Sequence, residues 1–153
     1  MRAIKDFDMF INEGIVKKQK PDISRARYLI EEAEKSNKLL LIKIEKLGVD
    51  DQTANDFVKT CYDILMELIR AKMLLEGYNA SGTGAHEAEV SFVRKLKFKE
   101  KDVQFLDQIR YYRNGMLYYG TILKKENAEK IIEFTKKIYS NLKQEISKSI
   151  NSK

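Results

Sequence analysis

Residues that mark cross-linked or metal-binding proteins are scarce in this chain of 153 residues, which has one cysteine, one histidine, one proline and no tryptophan. A lone Cys61 cannot form an internal disulfide, which excludes a disulfide-stabilised scaffold and favours a reducing compartment. With one histidine and one cysteine, any metal would need carboxylate ligands, and no ligand spacing of the zinc or calcium kind occurs. We therefore expect neither a metal nor a cofactor.

Long hydrophobic runs are also missing. The longest purely aliphatic run is "LLLI" at positions 39–42, whereas a membrane-spanning helix needs about 20 apolar residues. The N-terminus "MRAIKDFDMF" carries charges at positions 2, 5, 6 and 8, which is not the pattern of a signal peptide. The sequence therefore predicts a cytoplasmic protein that does not enter a membrane.

The composition that remains favours helices. Leu, Ile, Lys and Glu are abundant, and only one proline and seven glycines are present to interrupt a helical repeat. A hydrophobic content of 43% over this length is enough for one domain with a real core. We predict a single all-α domain.

The charge is basic, with a net value of +6 and a pI near 9.2. Most basic residues are spread along the chain among acidic ones, but "VRKLKFKEK" at 93–101 has five basic residues and one acidic residue. Such a segment is either an ordinary solvated surface or a patch that faces phosphates, because clustered cations gain affinity by releasing counterions from nucleic acid. Both interpretations remain open at this point.

Apolar residues recur at intervals of three and four along three stretches, which predicts three long helices at about 22–48, 53–77 and 127–147. Asp22 or Ser24 caps the first helix, since both side chains can accept a hydrogen bond from the first turn. The first two helices are joined by a short turn, so we expect them to be antiparallel.

Two shorter helices are predicted between the long ones, the first after the turn-rich segment "GYNASGTGAHE" at 77–87 and the second after Phe98. The predicted fold is an up-and-down antiparallel helical bundle of four to five helices at 22–148. Residues 1–21 form an N-terminal extension, and residues 149–153 form a tail that frays.

His86 lies where the flexible glycine-rich segment re-enters a helix. One interpretation makes it a local cap or a surface residue. The other makes it a site residue, because histidine is the side chain best suited to proton transfer near neutral pH.

The stretch "RYYRNGMLYYG" at 110–120 is the strongest functional signal. If the helix continues through it, Asn114 and Tyr118 share one face, and Arg110 and Arg113 form an adjacent ridge. Arginine offers donors that suit phosphate oxygens, the asparagine amide both donates and accepts, and tyrosine stacks on bases. The pattern predicts a phosphate or nucleotide site, with Gly115 allowing a ligand or another backbone segment to approach.

A structural alternative exists for the same stretch. Tyr111, Tyr112 and Tyr119 can be core or interface aromatics, and Arg113 can form an ion pair with a carboxylate. The sequence alone leaves both interpretations possible.

Taken together, "FLDQIRYYRNGMLYYG" and the upstream "GYNASGTGAHEAEV" resemble HEPN domains, especially the small stand-alone archaeal members, over residues 22–145. The resemblance implies a HEPN-like helical bundle that forms a homodimer. Many members are metal-independent ribonucleases whose motif is an arginine, a polar residue that is often asparagine, a spacer and a histidine. Arg113 and Asn114 match the first half of that motif, whereas Tyr118 stands where the histidine falls.

Three hypotheses follow from these residues. The first is a dimeric module that binds RNA or a nucleotide through Arg113, Asn114 and Tyr118 without efficient catalysis, with Arg110 and Tyr119 as further ligand-binding residues. The second is a toxin-like, metal-independent endoribonuclease in which His86 or Tyr118 acts with Arg113 and Asn114. The third, which the resemblance suggests, is an interaction partner of a nucleotidyltransferase with no ligand of its own. Whether the protein is an enzyme stays open at the level of sequence.

Overall fold

A computed structural model describes residues 3–151, which form six α-helices, one 3-10 turn and a two-stranded sheet. The all-α class is confirmed, and the helix number exceeds the predicted four to five. No helix within this range is long and apolar enough to cross a membrane. The elements in chain order are α1 Phe7–Asn12, β1 Val16–Lys18, α2 Ile23–Leu47, α3 Ala54–Leu75, β2 Tyr78–Ala80, α4 Ala85–Phe92, the 3-10 turn Val93–Leu96, α5 Glu100–Tyr118 and α6 Lys125–Asn151.

Helix α3 is the central element of the bundle, and α2, α4, α5 and α6 all pack against it. Its apolar side chains are almost completely buried, among them Phe57, Ile64 and Leu68. This burial follows from composition, because α3 is apolar around most of its circumference while α2 and α6 have one apolar stripe each. The three long helices predicted from the apolar spacing are confirmed, with ends within a few residues of the expected positions.

The ends of α2 agree with the predicted signals. The Asp22 side chain accepts a hydrogen bond from the Arg25 backbone N–H at 3.1 Å, so Asp22 rather than Ser24 is the capping residue. Gly48 follows the last turn with a φ of 73°, a conformation that glycine adopts without steric cost.

The segment before α2 packs onto the bundle. Phe7 and Phe10 of α1 are buried, and β1 pairs antiparallel with β2, with Val16 opposite Ala80. The prediction that 77–87 is entirely a flexible loop is therefore wrong at Tyr78–Ala80. A three-residue strand has too short a sequence pattern to be recognised, because it depends on a partner far away in the chain.

Helix α6 continues to Asn151, past the predicted end at Ser147. The buried Lys72 of α3 supports this last turn: its Nζ donates to the Glu145 carbonyl oxygen at 2.8 Å and to the Ser149 hydroxyl. Of the tail predicted to fray, residues 149–151 are helical, and residues 152 and 153 lie outside the described range.

Candidate functional site

A cleft of about 630 Å³ opens between α3, the start of α4 and the second half of α5. Three separate parts of the chain line it: Tyr62 and Asp63 of α3, the glycine-rich segment 82–87 with His86, and α5 from Arg110 to Tyr118. We call it the α3/α5 cleft. It brings His86 together with the Arg-Asn stretch, although about two dozen residues separate them in sequence.

Four residues of the predicted set on α5 face this cleft, namely Arg110, Arg113, Asn114 and Tyr118. They do so because α5 continues as a helix through Gly115, so positions three and four apart fall on one side. Tyr118 is 74% exposed at the rim. Tyr119, the fifth predicted residue on this stretch, follows the helix end, is 85% exposed and does not line the cleft.

Gly115 is required by the chain's own fold. The N–H groups of Tyr119 and Thr121 both donate to the Gly115 carbonyl oxygen, at 2.8 and 3.1 Å, which folds the following turn back over the helix. A methyl group at position 115 would stand against the Thr121 hydroxyl and 3.0 Å from the Thr121 Cβ. The sequence left open whether a ligand or another backbone segment approaches Gly115. In the structure, the segment at Thr121 makes this close approach.

That turn is anchored to α3. The Asn55 side chain donates to the Thr121 carbonyl oxygen and accepts from the Leu123 N–H, each at 2.9 Å. The two hydrogen bonds hold the end of α5, with Tyr118 on it, in place relative to α3.

Arg110 has a firm local partner. Its Nε donates at 2.7 Å to an oxygen of Asp107, which is buried one turn earlier in α5, and its guanidinium carbon lies 5.0 Å from the centre of the Tyr111 ring. The buried carboxylate and the aromatic ring fix the direction of this arginine.

Arg113 is in a different situation. Its Nε and Nη1 atoms are buried without a hydrogen-bond partner, although the side chain as a whole is 22% exposed. The carboxylate nearest to it, Asp63, lies 3.8 Å from Nε, which is an ion-pair distance beyond hydrogen-bond length. Arg113 therefore contacts a carboxylate, as the structural alternative expected, but that contact does not satisfy its donors.

Asp63 is one of two acidic residues that line the cleft, the other being Glu87. Its partial burial against the protein raises the pKa of its carboxyl group above the ordinary value, and the positive charges of Arg113, His86 and Arg70 oppose this shift. The side chain is 57% exposed, so a ligand in the cleft can reach it.

His86 contacts the protein through one ring nitrogen. Its Nδ1 lies 3.0 Å from the hydroxyl of Tyr62, and the two rings are nearly parallel at 18° with centres 6.2 Å apart. At that separation the rings meet edge to edge through the hydrogen bond, since face-to-face stacking needs closer centres. His86 is thus an exposed residue that lines the cleft and contacts the protein through Nδ1.

The wall behind Tyr62 is rigid. Arg70 of α3 makes two hydrogen bonds, at 2.6 and 3.0 Å, to the buried Glu89 of α4. Burial, together with the charge of Glu89, raises the pKa of the Tyr62 hydroxyl well above its ordinary value. The phenol consequently keeps its proton, and α4 with His86 at its start is held against α3.

Comparisons with protein-family models and with curated protein sequences give no match for this chain. The HEPN resemblance therefore stays a prediction that rests on the quoted residues.

Three titratable residues of the cleft were not singled out in the sequence analysis, namely Tyr62, Asp63 and Glu87. Tyr62 and Asp63 lie in a long and largely apolar helix, where an aromatic residue indicates core packing and an acidic residue indicates surface. Only the closeness of "HE" to a glycine-rich turn could have drawn attention to Glu87. Among residues 3–151, no group of three potential metal ligands comes together.

Proposed function

We propose that the α3/α5 cleft binds the phosphate group of an RNA or a nucleotide. The observation that carries this proposal is the guanidinium of Arg113, whose buried Nε and Nη1 lack hydrogen-bond partners, in a cleft that also holds Arg110 and His86. A bound anion lowers the cost of burying that positive charge, because the phosphate oxygens accept hydrogen bonds and neutralise it.

The other groups in the cleft suit the rest of a nucleotide. Asn114 provides both a donor and acceptors for a sugar hydroxyl or a base edge. Tyr118 projects from the rim, where a base can stack on its ring without requiring a particular sequence. The module therefore recognises single-stranded RNA better than a duplex, whose bases are not available for stacking.

A second candidate function is metal-independent RNA cleavage, which is favoured by the presence of His86 and Asp63 in the same cleft as Arg113. In such a reaction the 2′-oxygen forms a bond to phosphorus as the bond from phosphorus to the 5′-oxygen breaks. A base takes the 2′-hydroxyl proton, an acid gives a proton to the 5′-oxygen, and a 2′,3′-cyclic phosphate results. Arg113 and Arg110 stabilise the negative charge on the phosphate.

The proposal includes a homodimer. Its support is a group of exposed apolar side chains at the end of α5 and in the turn that follows it, of which Leu117 and Tyr118 line the cleft and Tyr119 and Ile122 do not. Light scattering at micromolar concentration tests this part, with Ile122→Asp expected to yield monomers. A wild-type protein that is already monomeric there contradicts it.

The deciding experiment incubates the protein with a labelled single-stranded RNA oligonucleotide in EDTA at several salt concentrations. We expect wild type to bind with an affinity that falls as salt rises, and Arg113→Ala to lose at least about tenfold in affinity. Arg27→Ala is the matched control, since Arg27 is exposed on α2 and remote from the cleft lining. Equal affinity of Arg113→Ala and wild type contradicts the proposal.

Cleavage is read in the same samples. Product ending in a 2′,3′-cyclic phosphate that disappears in both His86→Ala and Arg113→Ala supports the ribonuclease. Binding without product supports the binding module alone.

A further inference from the structure

We infer that Tyr62 is a positioning residue that holds the neutral imidazole of His86 with its proton on Nε2, so that His86 faces the ligand as a hydrogen-bond donor. Tyr62 lies on α3, outside the stretch that carries the Arg-Asn pair. Where it names the ligand, this inference rests on the proposed function.

The first step concerns the direction of the hydrogen bond between Tyr62 and His86. Tyr62 is a buried residue, 3% exposed, and within residues 3–151 the hydrogen-bond partner of its hydroxyl is Nδ1 of His86. If the hydroxyl accepted from Nδ1, its own hydrogen would be buried without an acceptor, which is unfavourable. If it donates to Nδ1, both groups are satisfied.

The second step follows from the chemistry of imidazole. A neutral ring has one N–H donor and one acceptor nitrogen, and the partner of one nitrogen decides which is which. With Nδ1 accepting from Tyr62, the proton is on Nε2. The Nε2–H is then the donor that His86, an exposed residue of the cleft lining, can offer to a ligand.

The third step concerns the ligand. Arg110, Arg113 and the Nε2–H of His86 are donor groups of the cleft, and together they suit a ligand group that only accepts, while Asp63 and Asn114 can accept from the ligand's own donors. A phosphate oxygen is such a group, whereas a ligand amine or guanidinium is not. In this tautomer Nε2 has no lone pair to take the 2′-hydroxyl proton, so if RNA is cut, His86 contributes a hydrogen bond to the phosphate and another group in the cleft is the base.

The test is unusually direct because His86 is the only histidine in the chain. Long-range proton–nitrogen NMR on histidine-labelled protein at about pH 9, where imidazoles are neutral, assigns the proton to one ring nitrogen. We expect wild type to show a protonated Nε2 and an unprotonated Nδ1. In Tyr62→Phe the two nitrogen shifts should move towards each other, as the ring exchanges between its two tautomers.

Tyr139→Phe on α6, away from the cleft, is the matched control and should leave both nitrogen shifts unchanged. A wild-type proton on Nδ1, or shifts that Tyr62→Phe does not alter, overturns the inference. This readout needs no ligand, so it stays decisive even if the protein fails to bind RNA.

Binding supplies the second readout. Tyr62→Phe should bind the RNA oligonucleotide about two- to tenfold more weakly than wild type, the effect of one misplaced hydrogen bond. An affinity equal to that of Tyr139→Phe contradicts the role of the donor. If neither wild type nor any variant binds RNA, the proposed function fails, and the NMR result still decides the tautomer.

Discussion

At the scale of single residues, Arg113 is the position where folding and binding have opposite requirements. Its guanidinium is mostly buried, its two inner nitrogens lack acceptors, and the nearby Asp63 is too far away for a hydrogen bond. A residue selected for stability alone would be apolar here, since the rest of the side chain packs among protein atoms.

Arg113→Met tests this conflict. We expect the free energy of unfolding in urea to rise by about 1 kcal/mol, because a buried and unsatisfied charge is replaced by an apolar chain of similar length. RNA affinity should fall at the same time. The exposed control Arg27→Met should change stability by less than about 0.5 kcal/mol. A loss of more than about 1 kcal/mol in Arg113→Met indicates that the arginine stabilises the free protein.

Sequence reasoning singled out the basic residues that line the α3/α5 cleft and missed Tyr62, which contacts His86. Arg110, Arg113 and Asn114 were recognisable because their spacing on one helix is visible in a single stretch. Tyr62 was not, because its role arises only when α3 and α4 pack and place its hydroxyl beside His86. No local pattern marks an aromatic residue in a core helix as a hydrogen-bond donor to a distant ring.

At the scale of elements, the end of α5 depends on a close contact between Gly115 and Thr121. Gly115→Ala should lower the free energy of unfolding by about 1–3 kcal/mol, because the added methyl group meets the Thr121 side chain. In the double variant with Thr121→Ala, we expect more than half of that loss to be recovered relative to Thr121→Ala alone. Denaturant titrations of wild type, the two single variants and the double variant give this coupling energy. If the two single losses in the free energy of unfolding simply add in the double variant, the contact is not the cause.

The start of α5 is held by a charge pair with a defined pH dependence. Arg94 makes two hydrogen bonds to Glu100, each at 2.9 Å, and with Gln104 they lower the pKa of the Glu100 carboxyl to about 2. A carboxyl whose pKa is lower in the folded protein stabilises it fully above the unfolded pKa. That stabilisation is lost as the pH falls from about 4.5 towards 2.

Glu100→Gln should therefore cost about 0.5–1 kcal/mol near pH 7, a modest value because the Glu100 side chain is 56% exposed. The difference from wild type should shrink steadily below about pH 4.5. Urea titrations across this range measure it, with Glu133→Gln as the control, since Glu133 is part of a weaker exposed pair at 3.4 Å. A difference that does not depend on pH rules out the ion pair as its source.

The elements that could be predicted are those whose signal is contained in their own sequence. Helices α2, α3 and α6 carry apolar residues at intervals of three and four over six or more turns, enough for the period to stand out. Helix α1 and the strands β1 and β2 are three to six residues long. Elements that short are stabilised by tertiary contacts, so their own residues hold little information about them.

At the scale of the whole molecule, the N-terminal segment is part of the core. Phe10 is 1% exposed and contributes to the same cluster as the residues of α3. Phe10→Ala should lower the free energy of unfolding by about 3–5 kcal/mol, the cost of removing a fully buried aromatic ring. Met9→Ala, next to it and 46% exposed, is the control and should cost less than about 0.5 kcal/mol. Similar small effects in both variants would mean that the segment is only loosely attached.

The pairing of β1 with β2 links this segment to the α3/α5 cleft. The Gln19 N–H donates to the Gly77 carbonyl oxygen, and the Ser81 N–H donates to the Ile15 carbonyl oxygen. Both ends of β2 are therefore hydrogen-bonded to residues that flank β1, and the segment that carries His86 follows directly after β2. Thermodynamic reciprocity gives this arrangement a consequence. If loosening of the N-terminal strand lowers the affinity of the cleft for a ligand by some factor, then the bound ligand lowers the equilibrium constant for that loosening by the same factor. Under that condition, a ligand in the cleft would lower the local unfolding of residues 3–20, which hydrogen exchange at their backbone amides would measure.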